Sequence, residues 1–203
     1  MKESGHGSNV VDTVDYGLLP IYRKLTALNQ EPIRISYGDN GVKRMIDVIV
    51  AKIKEPGSIG VLRIYAHGNS GVIAVTGGDI LEYQASAISI WGFPKLKPEL
   101  SRLIPFFAIN AQVELYGCYV ATGEKGDAHL IKKNSDGEKL IIALAQLWNV
   151  KVLASGNTEK GLPIASFRFV GLVVEANPNG ALRCVPAPEI NKRKPKYLEK
   201  VAI

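Results

Sequence analysis

Two residues in this chain are suited to nucleophilic chemistry, and each closes a hydrophobic run beside a glycine. The first run is Gln112-Val113-Glu114-Leu115-Tyr116-Gly117-Cys118 and the second is Gly60-Val61-Leu62-Arg63-Ile64-Tyr65-Ala66-His67-Gly68. A cysteine attacks as its thiolate, and a nearby imidazole supplies that thiolate by taking the proton or stabilising the anion. Alternation of apolar and polar residues with β-branched and aromatic types predicts a strand for each run. Cys118 and His67 then stand at the ends of two rigid strands, and ligands of open α/β sheets bind at the carboxyl ends of strands. Taken singly, Cys118 reads as a small buried hydrophobe and His67 as a hydrogen-bonded loop residue. Their matched settings favour a Cys118–His67 pair.

The remaining chemistry-bearing residues give less. Cys184 lies in the alternating run Leu182-Arg183-Cys184-Val185 and reads as a packed strand residue. His129 sits in a polar segment, and His6 has no context. No CxxC, HxxxH or HExxH spacing supports a metal, and no Gly-Lys-Ser/Thr follows the glycine-rich stretches. No metal or other cofactor is expected.

The elements that must position the pair follow from periodicity. Asp15–Asn29 is predicted as a short helix with Asp15 as its cap, and Pro32–Tyr37 as the first core strand. Val42–Lys54 carries Met45, Ile46, Ile49, Val50 and Ile53 on one helical stripe, and Ile59–Ala66 is the second core strand. Strand, helix and strand in that order predict a parallel pair with a right-handed crossover. Gly71–Val75 is expected as a small edge strand, Pro98–Ile104 as a helix, and Trp91 and Phe93 as packing a loop against the core. Val113–Tyr116, the helix Lys139–Trp148, then strands at Val150–Ala154, Ala165–Val174 and Leu182–Val185 complete the order, the last two joined by Asn177-Pro178-Asn179-Gly180. The alternation predicts an α/β three-layer sandwich with a mainly parallel central sheet.

A hydrophobic block ending in His67-Gly68, followed by one ending in Gly117-Cys118, resembles the caspase-like (clan CD) cysteine peptidases. Closest in pattern is an uncharacterised bacterial caspase-like domain found in adhesin-like chains. It is matched by Ile64-Tyr65-Ala66-His67-Gly68-Asn69-Ser70-Gly71, by Leu115–Gly126, by Leu144–Leu147 and by Val152-Leu153-Ala154-Ser155. The likeness covers residues 33 to 158, and the spacing of His67 and Cys118 agrees with the roughly 50 residues typical of caspases. The fuller caspase signature around the cysteine is absent.

The resemblance implies a caspase-like fold and a cysteine endopeptidase that hydrolyses peptide bonds through a thioester on Cys118, with His67 as base. The backbone N–H groups of Gly68 and Cys118 would hold the oxyanion. The substrate would be a protein or peptide, with Tyr116 and Ser155 in the matching text as substrate-binding residues. Asp39, at the end of the first predicted strand, would select a basic residue before the scissile bond, although it equally suits a turn or helix cap. Arg168 would instead select an acidic one. The same family includes non-catalytic binding modules, which is the alternative reading. The connection from Gly123 to Gly137 is long for a βα loop, which usually takes 2–6 residues. It resembles in position the linker cut in caspase-like enzymes, which makes Lys132, Lys133 or Asp136 candidate self-cleavage points.

Composition sets the outer bounds. At 203 residues with 46% hydrophobic and 22% charged residues, one soluble globular domain is expected. It is read as a flexible segment at 1–14, a caspase-like domain at 15–190 and a basic tail at 191–203. The tail contributes to the net charge of +6. It reads first as a solvated end and second as a contact for nucleic acid, polyphosphate or another polyanion. Two cysteines suit a reducing compartment. No membrane span or secretory signal is visible, so a cytoplasmic location is expected.

Overall fold

The structure is a computed structural model that describes residues 9–15, 17–27, 31–35, 40–75, 87–122, 135–156, 169 and 171–191. Its centre is a seven-stranded sheet. The strands are β1 (Asn9–Asp15), β2 (Ile33–Ile35), β3 (Ile59–Tyr65), β7 (Phe107–Tyr116), β8 (Lys151–Ser155), β9 (Leu172–Ala176) and β10 (Leu182–Pro186). Their order is β10-β9-β8-β7-β3-β1-β2. The five strands from β2 to β8 are mutually parallel, and β9 and β10 run antiparallel at one edge. A small antiparallel sheet of β4 (His67–Asn69), β5 (Val72–Ala74) and β6 (Ala87–Ser89) stands after β3. The expected three-layer α/β sandwich with a mainly parallel sheet is the architecture observed.

Alternation along the strands builds the two faces. Leu62 and Ile64 of β3, with Val113 and Leu115 of β7, join a core with Met45, Ile46 and Ile49 and with Leu140, Ile141 and Leu144. Those residues come from α2 (Gly41–Lys52) and α4 (Asp136–Trp148), and α3 (Phe93–Ser101) adds Leu96 and Leu100. The Trp148 indole N–H donates to the Leu100 carbonyl at 2.8 Å, which ties α4 to α3. Ser135 and Glu138 form a reciprocal capping box that starts α4, and Asn149 closes it in the left-handed conformation.

The opposite face packs Val14, Tyr65, Tyr116, Leu153 and Phe169 under α1 (Leu19–Ala27) and α5 (Ala187–Asn191). Below this apolar layer runs a buried charged row. Asp12 stands opposite Arg63 and Arg63 opposite Glu114. Arg63 Nε lies 2.6 Å from Asp12 Oδ1. Two strands further, Glu175 is held by Arg183 at 3.2 Å and Lys151 at 3.5 Å. Buried charges persist only when they are paired or hydrogen-bonded, and such pairs are weak evidence of net stability.

Three expectations are corrected. Residues 9–14, assigned to a flexible segment, form most of β1, an inner strand whose hydrophobic residues Val11 and Val14 are buried. Because β1 lies between β2 and β3, the expected crossover joins two parallel strands that are not neighbours. Asp15, expected as the cap of a helix, is the last residue of β1, and α1 begins at Leu19. The tail from residue 192 lies outside the described residues. Among the described residues no helix is long and apolar enough to cross a membrane.

Candidate active site

β3 and β7 are hydrogen-bonded neighbours, with Tyr65 opposite Tyr116, so their next residues leave the sheet together. The Ala66 N–H donates to the Tyr116 carbonyl at 3.1 Å, which carries the pairing one step past the strands. Beneath this edge the rings of Tyr65, Tyr116 and Phe169 stack, with centroids 4.6 Å and 4.4 Å apart. The Tyr116 hydroxyl donates to Glu114 at 2.6 Å. The stack packs the last residues of both strands together, just before the two glycine blocks.

Those blocks interlock. A Cβ built on Gly68 would stand 2.7 Å from the Cys118 carbonyl oxygen and 3.0 Å from the Cys118 nitrogen. One on Gly117 would stand 3.1 Å from the Ala66 carbonyl oxygen and 3.2 Å from the Gly68 Cα. Gly68 admits no side chain without a backbone shift, and at Gly117 a side chain would be tight, requiring its neighbours to give by a few tenths of an ångström. His67 is exposed and Cys118 half-buried, at one rim of the sheet.

The segment after Cys118 is held on both sides. Tyr119 has φ of 58°, the left-handed region that a bulky residue adopts only at a cost of order 1–3 kcal/mol. Its carbonyl accepts from the Thr122 N–H at 2.9 Å and from Thr122 Oγ1 at 2.8 Å. The Gly71 N–H donates to the Val120 carbonyl at 3.1 Å, and the Ala121 N–H to the Ser155 carbonyl at 3.0 Å. Ser70 Oγ donates to the Thr122 carbonyl. The loop that follows His67 and the loop that contains Cys118 are thus one hydrogen-bonded unit.

The expected substrate-binding residues fare differently. Tyr116 is committed to the stack, and Ser155 is 1% exposed and supplies its carbonyl to Ala121. Both side chains are buried beneath the rim. Asp39 and Arg168 lie outside the described residues, as do Lys132, Lys133 and His129. Asp136 is the first residue of α4, its carboxylate 3.1 Å from Lys139. Peptidases cut extended chain, and Asp136 is held in a capped helix.

Cys184 is in the predicted strand but exposed on the edge strand β10, not packed. Partial burial and, after it, the negative charge of Glu138 push its thiol up from the ordinary value. Trp91, expected to pack against the core, is 63% exposed. The Ile90 N–H beside it donates to the Gly71 carbonyl at 3.0 Å.

Sequence reasoning missed Asp15, buried at the end of β1 near His67, because it read as a helix cap. It also missed the Tyr119 conformation, for which a tyrosine gives no signal. A cleft of about 550 Å³ opens at the other end of the sheet, where Phe107, Asn110, Trp148 and Lys151 are among its lining. Its lining contains neither a cysteine nor a histidine, and His67 and Cys118 lie at the opposite rim of the sheet. Among the described residues no group of three or more His, Cys, Asp or Glu side chains is arranged to hold a metal ion. Comparison with protein-family models, curated proteins and solved structures found no match to this chain.

Proposed function

We propose that the chain is a cysteine endopeptidase of the caspase-like type, with Cys118 as nucleophile and His67 as base. The observation that carries this reading is the backbone contact of Gly68 with Cys118, which joins the two blocks singled out in sequence. His67 takes the thiol proton as Cys118 Sγ attacks the scissile carbonyl carbon. The same proton passes to the departing amine, and water then hydrolyses the thioester. The N–H groups of Gly68 and Cys118 sit on adjoining backbone and are the donors proposed for the tetrahedral oxyanion.

The test is a thiol-directed activity probe, read by mass spectrometry on wild type, Cys118→Ala and His67→Ala. Labelling at Cys118 that is lost in the first variant and falls at least tenfold in the second is expected, with the fold retained. Wild-type labelling no faster than that of a small free thiol would leave the non-catalytic binding module as the better reading.

A further inference from the structure

Asp15 ends β1, the strand hydrogen-bonded to β3, and Val14 stands opposite Tyr65. The chain therefore leaves β1 beside the point where it leaves β3 for His67. The Asp15 side chain is almost wholly buried, and its Oδ1 accepts from the Gly17 N–H at 3.1 Å. A Cβ on Gly17 would stand 3.9 Å from each Asp15 carboxylate oxygen and 3.9 Å from His67 Nε2. Carboxylate and imidazole border the same small space over Gly17. This is also the point where the sheet order reverses direction, with β2-β1 on one side and β3-β7-β8 on the other. Ligands of parallel α/β sheets collect at such a switch point.

We infer that Asp15 is a positioning residue for His67, an inference that rests on the proposed Cys118–His67 pair. The carboxylate, fixed by the Gly17 turn, orients the imidazole with Nε2–H directed toward Asp15, and Nδ1 is left to receive the Cys118 proton. When Nδ1 takes that proton the imidazolium gains a fixed counter-charge. The carboxylate itself takes no proton, as a third group behind a catalytic histidine acts by orientation and charge. The geometry needs no other reactant.

Asp15→Asn separates this role from a structural one, because asparagine keeps an acceptor for the Gly17 N–H and loses only the charge. In a Cys184→Ser background, so that Cys118 is the single thiol, the rate of alkylation by iodoacetamide is measured for wild type, Asp15→Asn and His67→Gln. Both variants are expected to slow alkylation by roughly tenfold or more. Slowing in His67→Gln with none in Asp15→Asn would overturn the role of Asp15 and leave the pair standing. No slowing in either would overturn the pair and this inference with it. A second measurement needs no variant at position 15. The imidazole nitrogen NMR signals of wild-type His67 in mildly alkaline solution, identified by their loss in His67→Gln, should show the Nε2–H tautomer. A dominant Nδ1–H tautomer would refute the inference.

Discussion

The Cα of Gly68 and the backbone of Cys118 approach so closely that a methyl group on the former would meet the carbonyl oxygen of the latter at 2.7 Å. The obstacle is backbone held by β3 and β7, with Val120 Cγ2 also at 2.7 Å, so neither partner can swing away as a flexible side chain would. Gly68→Ala should therefore separate the two loops. The expected cost is about 1–3 kcal/mol of stability, the range for overpacking a tight contact. Alkylation of Cys118 should fall by an order of magnitude or more in protein that remains folded. Denaturant unfolding and alkylation kinetics on one preparation check both, and a variant with wild-type stability and reactivity would contradict the contact.

The same contact shows what the sequence could and could not convey. The blocks around His67 and Cys118 were legible because period-2 alternation names a strand and a following glycine names a close approach or turn. The helix at Val42–Lys54 and the one ending at Trp148 were legible through their apolar stripes. β1 was not, because Asn9–Asp15 carries two aspartates and a threonine among three valines, a pattern that reads as polar chain end. Asp12 is tolerated there by Arg63 from a strand 51 residues away, a partner that no local window contains. Pro98 likewise drew the third helix toward its C-terminal side, whereas α3 starts at Phe93 with Pro94 in its first turn and carries Pro98 inside. Of the two aromatics expected to pack a loop against the core, Phe93 does so and Trp91 does not. Its exposure depends on how the small three-stranded sheet stands on the rim, a tertiary fact.

The two thiols should be separable by pH. Burial and Glu138 raise the Cys184 thiol above its ordinary value, so at neutral pH it stays protonated and reacts slowly. Its labelling by iodoacetamide should climb only in alkaline solution, later than for a small model thiol. The linkage has a definite sign. A group that holds its proton more tightly folded than unfolded contributes stability that is present below the unfolded pKa and lost as pH rises through the folded one. Cys184→Ser should remove that alkaline dependence and leave neutral-pH stability nearly unchanged, since the residue is exposed. Peptide mapping after timed alkylation checks the first outcome and thermal melts across alkaline pH check the second. Rapid labelling of Cys184 at neutral pH would contradict the shift.

Self-processing, if the chain is a peptidase, should now fall before α4 and not within it. Of the three candidate points, Asp136 is held at a helix start by the capping box of Ser135 and Glu138 and by its own pairing with Lys139. The Gly137 N–H also donates to the Thr122 carbonyl at 3.2 Å, which anchors that turn to the Cys118 loop. Unwinding it to reach the peptide bond after Asp136 would cost the cap, about 1 kcal/mol, together with these contacts. Lys132 and Lys133 precede the cap in sequence and lie outside the described residues. Incubation of purified protein and mapping of fragments by mass spectrometry should therefore place a wild-type cut after Lys132 or Lys133, absent in Cys118→Ala. Replacement of both lysines by glutamine should suppress it, and Asp136→Asn should not. A cut after Asp136 would reverse the assignment, and equal cleavage in wild type and Cys118→Ala would show that the cut is not the chain's own.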